Sequence, residues 1–258
     1  MSGAAGQLVA APARYHLSVD DVFAALIEAA DAGVAPFDHP FFAFLQGLHD
    51  EFGAHVDLYL FAEGAVNGRA RRLEEVPDAF GARLAAASWL RLGPHALDDA
   101  TRPYDQSPDE FRSLLARLYG QIDRLVGPDR RARWVRLHYF SECYEAAPSL
   151  CERGVEALLL TDKPDVSYRL DDGARQELAQ CGAARHCGLT LRRSFTRIEQ
   201  MVREGWDEAT TVSGLRQRLE EHGYVALFTH EADAADPQVR AQVRRCLAAL
   251  RNLEAAPI

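Results

Sequence analysis

Residues 14–21 read RYHLSVDD, a short β-compatible segment that runs directly into two adjacent aspartates. Its alternating apolar residues predict a strand. Residues 22–32 follow with apolar residues at helical spacing, and Gly33 after them is a common helix terminator. Residues 40–52 predict a second helix and residues 55–61 a second apolar strand. The chain therefore begins as strand, helix, helix, strand.

The same alternation continues along the rest of the chain. We predict further strands at residues 89–92, 134–137, 157–160 and 225–228, and a strand or hairpin at residues 189–195. Further helices are predicted at residues 77–87, 107–126, 148–154, 196–204, 212–223 and 237–253. Residues 164–193 are less regular, and Asp172–Gly173 is predicted as a turn. Short apolar strands that alternate with helices are typical of a covered parallel sheet or a barrel. We expect one domain at residues 13–258, preceded by a loose tail at residues 1–12.

The bulk composition excludes several classes of protein. With 258 residues, 48% hydrophobic and 26% charged, the chain fits a globular single domain. A formal net charge of −9 argues against a general nucleic-acid binder, which needs a basic face. Five cysteines with no CxxC pair argue against a disulfide framework. No stretch approaches the roughly 18 apolar residues of a membrane span, and no secretory signal is recognisable, so we expect a cytoplasmic protein without a membrane span.

Polar side chains follow the predicted strands at regular places. They are Asp20 and Asp21; His95 with Asp98 and Asp99; Arg136 with His138 and Tyr139; Asp162 with Asp165; and His230. The C-terminal ends of parallel strands share one face of the fold, and that face holds the active site in such proteins. We therefore expect these side chains to converge on one site.

This set of side chains suits metal-assisted hydrolysis of an amide or an ester. A carboxylate and an imidazole can hold a divalent metal while leaving positions for water and substrate. A second carboxylate can take a proton from water, and an imidazole opposite can protonate a leaving amine. An arginine can orient the basic carboxylate and favour its ionised form.

The order of these segments resembles the polysaccharide deacetylase family, the NodB-like carbohydrate esterases. The family's first motif is Thr-Phe-Asp-Asp-Gly, and SVDDV stands here in its place. The resemblance implies that Asp20 is the catalytic base and Asp21 a metal ligand. The second motif is His-Ser/Thr-x-x-His, and HALDD stands here. His95 then matches the first imidazole ligand, while Asp99 occupies the position of the second.

Three later segments extend the resemblance. RLHY matches the motif Arg-Pro-Pro-Tyr, which implies that Arg136 orients the base and that the backbone of Tyr139 helps to form an oxyanion site. Asp162 loosely matches an acidic cluster expected to contact substrate. LFTHE matches Leu-x-x-His-Asp, which implies that His230 is the general acid. The resemblance covers about residues 15–230 and implies a deformed (β/α) barrel of about seven parallel strands.

The function implied by the resemblance is hydrolysis of an acyl group, most simply N-acetyl, from a sugar. It further implies one divalent metal, with zinc expected and iron or cobalt as alternatives. The substrate would be an acylated sugar or a lipid- or nucleotide-linked sugar, since the chain is similar to members tied to bacterial surface-polysaccharide (O-antigen, lipopolysaccharide) synthesis. Two alternatives stay open: a catalytically impaired sugar-binding protein on the same fold, because Asp99 replaces a histidine, and an amidohydrolase on a different small amide.

Simpler interpretations also exist for individual residues. The Asp20–Asp21 pair stands where acids commonly cap a helix and favour its dipole. Asp98 is as well placed in the sequence as Asp99 to bind a metal. The arginines within residues 191–197 either bind an anionic sugar or a nucleotide diphosphate, or form an ordinary solvated basic strand.

Overall fold

Strands and helices alternate along the chain in the computed structural model, which describes residues 12–142, 147–161, 163, 170–186 and 188–258. The strands are β1 (Arg14–Val22), β2 (Val56–Phe61), β3 (Glu63–Val66), β4 (Arg69–Arg72), β5 (Leu90–Ala96), β6 (Trp134–Val135), β7 (Ala157–Leu160), β8 (Ala183–His186), β9 (Leu189–Arg193), β10 (Tyr224–His230) and β11 (Ala256–Pro257). The helices are α1 (Ala24–Ala32), α2 (Pro40–Phe52), α3 (Ala79–Ala86), α4 (Pro108–Val126), α5 (Ala147–Cys151), α6 (Asp172–Cys181), α7 (Ile198–Arg203), α8 (Glu208–His222) and α9 (Pro237–Asn252). Of the predicted tail at residues 1–12, only Pro12 lies within the described residues.

The first sheet has the strand order β10-β1-β2-β5, with β11 also paired to β1, and all four pairings are parallel. The β1–β10 register runs from Arg14 opposite Tyr224 to Asp20 opposite His230. The two residues predicted as base and acid therefore end neighbouring strands at the same edge of the sheet.

The second sheet has the order β6-β7-β9-β8, in which only β8 runs antiparallel among the described pairings. Single parallel bridges, Leu92 with Arg131 and Arg197 with Phe228, join its two sides to the first sheet. Seven parallel strands thus follow one another in the ring order β1, β2, β5, β6, β7, β9 and β10. This arrangement confirms the predicted deformed (β/α) barrel in a single domain.

Alternate residues of β1 point to opposite faces of the sheet, one toward the apolar core under the helices and the other toward the barrel interior, as the two-residue period of a strand requires. Tyr15, Leu17 and Val19 belong to the apolar core. The other face looks across the barrel, where the His16 ring stacks on Trp134 with centroids 5.6 Å apart. Arg136, just beyond β6, reaches Asp20 from the same side. The barrel interior is therefore partly polar, and its polar end opens into the candidate site.

The structure differs from the sequence prediction in several places. Strand β5 continues through Pro94 to Ala96; because β5 lies at the edge of the first sheet, a residue without an N–H is tolerated there. The predicted turn at Asp172–Gly173 is wrong, since these residues begin α6 after Asp171 accepts a hydrogen bond from the N–H of Ala174. The hairpin of β3 and β4, strand β8 and the short strand β11 were not predicted.

The helical signal in α6 is weak because only Leu178 is buried along its described length. By contrast, α4 was predicted closely, since Ser107 and Glu110 form a reciprocal capping box and Pro108 occupies the first turn. Among the described helices, none combines the length and the apolar character needed to cross a membrane.

Candidate active site

The Asp20 carboxylate lies at the C-terminal end of β1 and forms a buried ion pair with Arg136. Nη1 of Arg136 lies 2.9 Å from one carboxylate oxygen and 3.2 Å from the other. The same guanidinium donates hydrogen bonds to the hydroxyls of Ser18 at 2.9 Å and Ser194 at 3.2 Å, and stacks 3.8 Å from the centroid of the Phe228 ring. Paired in this way, the two buried charges compensate each other. The network also holds the Asp20 carboxylate in one orientation.

Asp21 adopts a left-handed backbone conformation with φ of 62°. This conformation is uncommon for a residue with a side chain, and aspartate is one of the few types that tolerate it. The reversal turns the Asp21 carboxylate away from the β1 direction and toward β5. It separates the two adjacent aspartates, so that each can take a different role.

Glu231, the residue after β10, secures this turn. Its carboxylate accepts hydrogen bonds from the backbone N–H groups of Phe23, Ala24 and Ala25, and its own N–H donates to the carbonyl of Asp20. Helix α1 has no capping hydrogen bond from the side chain of its N-cap residue, Phe23. The capping role considered for the aspartates in the sequence is therefore filled by Glu231. Sequence patterns could not reveal it because more than 200 residues separate the partners.

Asp21, His95 and His138 bring three potential ligand atoms together. His95 Nε2 lies 3.0 Å from Asp21 Oδ1 and 3.1 Å from His138 Nδ1, which is itself 3.4 Å from Asp21 Oδ1. Burial disfavours the charged form of Asp21, but the two imidazoles outweigh it and hold the pKa of Asp21 well below its usual value. The cluster thus combines an ionised carboxylate with two imidazoles.

The outer nitrogens of both imidazoles define their tautomers. His95 Nδ1 lies 2.6 Å from the carbonyl oxygen of Arg136, and His138 Nε2 lies 3.0 Å from that of Asp99. Because a carbonyl only accepts, these outer nitrogens carry protons. Protonated at the inner nitrogens as well, the imidazoles lower the pKa of Asp21; in the neutral forms that a metal ion selects, the lone pairs of His95 Nε2 and His138 Nδ1 point toward Asp21. Such outer hydrogen bonds are typical of metal-binding histidines. The donor set of two nitrogens and one oxygen fits a divalent cation such as zinc.

The structure places Asp99 differently from the predicted ligand set. It contributes its backbone carbonyl to His138, and the cluster of ligand atoms contains His138 where the sequence suggested Asp99. The carboxylate of Asp98 accepts hydrogen bonds within its own loop, from Ala100 and Thr101. The signal that could have identified His138 was an imidazole replacing a proline in the segment that follows β6.

His230 ends β10 beside Asp20 and is paired with a buried glutamate that the sequence analysis missed. Its Nδ1 lies 2.6 Å from Oε1 of Glu199, whose other oxygen accepts a hydrogen bond from Thr229 at 3.1 Å. Burial lowers the pKa of His230, but the hydrogen bond to Glu199 and the nearby carboxylates outweigh it and raise the pKa. In Glu199, burial opposes the charged form, but His230 lowers the pKa below its usual value. The pair therefore favours a protonated imidazole, as a general acid requires.

These groups line one cavity of about 690 Å³. Its walls include Asp20, Asp21, His95, Asp99, Arg136, His138, Tyr139 and His230, which are seven of the eight predicted site residues together with His138. Tyr139 is 39% exposed and, like Phe140, has a positive φ, so the loop after β6 is strained where it borders the cavity. The remaining predicted residue, Asp162, lies outside the described residues.

Comparisons with known proteins identify a shared fold. No protein-family model matches the chain, and no curated protein does. Among solved structures, a predicted polysaccharide deacetylase from Mycobacterium smegmatis is 14% identical with a TM-score of 0.51, over 96% of this chain and 88% of that one. A CE4 family pseudoenzyme from Bacillus anthracis is 11% identical with a TM-score of 0.50, over 96% of this chain and 64% of that one.

A 4-alpha-glucanotransferase from Thermococcus litoralis is 13% identical with a TM-score of 0.61, over 95% of this chain and 37% of that one. The chain thus spans less than two thirds of the length of both the pseudoenzyme and the glucanotransferase. At these identities the likeness shows the fold alone, and that fold is the one of the NodB-like deacetylases.

Proposed function

We propose that this protein is a metal-dependent hydrolase that removes an acyl group, most simply N-acetyl, from a sugar. The observation that carries the proposal is the convergence of three lone pairs, from Asp21, His95 and His138, beside a buried carboxylate–guanidinium pair. A paired imidazole of raised pKa lies at the neighbouring strand end of the same cavity. A base, an acid and a metal-binding set are the three components that metal-assisted amide hydrolysis needs.

Each side chain would have a distinct task. A divalent cation, zinc with iron or cobalt as alternatives, would polarise the acyl carbonyl and acidify water when bound by Asp21, His95 and His138. Asp20 would take the proton of the attacking water, oriented by Arg136. His230 would then donate the proton from Nε2 to the leaving amine nitrogen, while Glu199 holds the ring through Nδ1.

Two predicted contacts extend this proposal toward the substrate. The backbone of Tyr139, at the mouth of the cavity, would stabilise the oxyanion. Contact of Asp162 with the sugar stays a prediction. So does the expectation that the substrate is a lipid- or nucleotide-linked sugar, processed in the cytoplasm during surface-polysaccharide synthesis.

The test is release of acetate from N-acetylated sugars by the zinc-, iron- or cobalt-loaded protein. Asp20→Asn should lower kcat by about a hundredfold or more, the usual contribution of a positioned base, while metal content stays unchanged. Asp98→Asn is the matched control, because its carboxylate bonds only within its own loop among the described residues. Full activity of Asp20→Asn would contradict the assignment of the base.

The alternative is a catalytically impaired sugar-binding protein. It is favoured by the departure of the second motif from the family pattern and by the fold that this chain shares with a CE4 pseudoenzyme. Elemental analysis separates the two functions. A protein that binds N-acetylated sugars but takes up no zinc, iron or cobalt, and releases no acetate, would support the alternative.

A further inference from the structure

The wall of the cavity away from the ligand cluster is positively charged. Four cations line it: Lys163 after β7, Arg193 at the end of β9, Arg197 beyond it, and Arg218 on α8. The proposed metal ligands come from β1, β5 and the segment after β6, which lie elsewhere in the ring of strands. The two kinds of charge therefore occupy different arcs of the same cavity.

The acids in the cavity do not neutralise this wall. Among the described lining residues, the carboxylates are those of Asp20, Asp21 and Asp99, all on the ligand side. Asp20 is already paired with Arg136, and the carboxylate of Asp21 lies 3.0 Å from His95 and 3.4 Å from His138. The cationic wall must therefore be balanced by water, by other parts of the chain or by a ligand.

Arg197 and Lys163 are accessible to a ligand. The Arg197 side chain is 42% exposed, and its Nε lies 3.8 Å from Glu199 Oε1, an oxygen that already accepts a shorter hydrogen bond from His230. Lys163 is exposed. The neutral side chains of Thr196 and Gln200 lie beside them in the lining and add hydrogen-bonding capacity.

A solvated basic surface would be the ordinary explanation if these residues lay on an outer face. They instead border the cavity that contains the proposed base and acid, in a protein whose formal net charge is −9. A concave wall lined by one sign of charge concentrates ions of the opposite sign, so a positive wall attracts anions. Arginine also binds phosphate and carboxylate through two parallel hydrogen bonds.

We propose that the substrate carries an anionic group, a phosphate ester or a carboxylate, next to its acylated sugar, and that Lys163 and Arg197 bind this group. This inference rests on the proposed function, because it places the acyl group at the ligand cluster. The cavity of about 690 Å³ extends from the ligand cluster to the cationic wall, so one substrate can occupy both.

The experiment compares three probes with the zinc-loaded full chain: N-acetylglucosamine, its 1-phosphate, and N-acetylmuramic acid, which carries a carboxylate. We expect a KM at least about tenfold lower for one of the charged sugars than for the neutral one, and the better of the two identifies the anion. Lys163→Gln and Arg197→Gln should each raise the KM for that sugar about tenfold, the usual effect of losing a charge-assisted contact, with a clearly smaller effect on the KM for the neutral sugar.

Two controls isolate the role of the charge. Arg83→Gln removes an exposed arginine on α3 and should change none of these values. Arg197→Lys should restore part of the affinity for the charged sugar, which distinguishes loss of charge from disturbance of the neighbouring Glu199. Equal KM values for neutral and charged sugars, or unchanged kinetics in both glutamine variants, would overturn the anion site while leaving the proposed hydrolysis intact.

Equilibrium binding, measured by calorimetry, separates the two proposals further. If no sugar is hydrolysed but the charged sugar still binds at least about tenfold more tightly, and Lys163→Gln and Arg197→Gln remove that preference, the anion site stands and the hydrolase proposal fails. If His95→Ala removes the preference and the two glutamine variants keep it, the anion binds at the ligand cluster, and the cationic wall is not its site.

Discussion

Replacing Glu231 by alanine removes the acceptor for three backbone N–H groups at the start of α1. The three hydrogen bonds are 3.2, 2.8 and 2.8 Å long, from Phe23, Ala24 and Ala25. At a net value of about 1 kcal/mol for each bond, the loss of unfolding free energy is about 3 kcal/mol. For a chain of this length, about 2 °C per kcal/mol gives a fall in Tm of about 6 °C.

The same variant should loosen the proposed metal site. The bonds from Glu231 secure the segment immediately after Asp21, whose left-handed backbone is strained by roughly 1 to 3 kcal/mol. Outer partners of metal ligands commonly contribute ten- to a hundredfold in metal affinity. We therefore expect Glu231→Ala to weaken zinc binding by about tenfold, measured by competition with a chromophoric chelator.

Glu231→Gln is the matched variant, since it keeps one oxygen acceptor and no charge. Burial raises the pKa of Glu231 to about 7, against the lowering effect of the three backbone N–H groups. A carboxyl pKa raised in the folded state gives a contribution that is fully present below the usual carboxyl pKa and is lost as pH rises through about 7. As pH rises from about 5 to about 8, the unfolding free energy of the wild type should therefore fall relative to that of Glu231→Gln.

Thermal unfolding with and without zinc decides between this explanation and a passive role for Glu231. Glu220→Ala, an exposed glutamate on α8, controls for the loss of an acidic side chain. A Tm within about 1 °C of the wild type, together with unchanged zinc affinity in Glu231→Ala, would refute the reasoning.

The remaining predictions concern the ligand cluster and the acid. His138→Ala should lower the zinc content, measured by elemental analysis, to well below one ion per chain. Asp99→Ala should keep the zinc, because Asp99 contributes its backbone carbonyl to His138. The reverse pattern would restore Asp99 as a ligand. Glu199→Gln should lower the pKa of His230, since the hydrogen bond and charge of Glu199 raise it. The alkaline limb of the profile of kcat/KM against pH should then move to lower pH, and an unmoved limb would exclude His230 as the titrating acid.

Local patterns in the sequence were sufficient for the main parallel strands and most of the helices between them, but not for β3, β4, β8, β11 or α6. The short apolar strands and the capping signals around α4 depend on neighbouring residues, so they are visible without the fold. The same patterns located Asp20, His95, Arg136 and His230 near strand ends. Because parallel strands present their C-terminal ends on one face, their convergence could be predicted as well.

Features that depend on partners far apart in the chain were not visible. Glu199 lies in no motif, and Glu231 ends the segment LFTHE without an assigned role; their significance comes from contacts with His230 and with the start of α1. The weakly amphipathic α6 was predicted as irregular for a related reason, since its only described buried residue gives little periodic signal.

The alternation of strands and helices, and the acids, imidazoles and arginine at the strand ends, could be predicted because periodicity and strand termini are local properties; the barrel was implied by the family resemblance. The separate roles of those residues depend on their tertiary contacts. The reversal at Asp21, the approach of His138 rather than the Asp99 side chain, and the glutamates behind His230 and the Asp20–Asp21 turn all arise from packing between distant segments. The distances of about 3 Å between side chains of such segments depend on how the strands pack around the barrel, and no local pattern in the sequence encodes them.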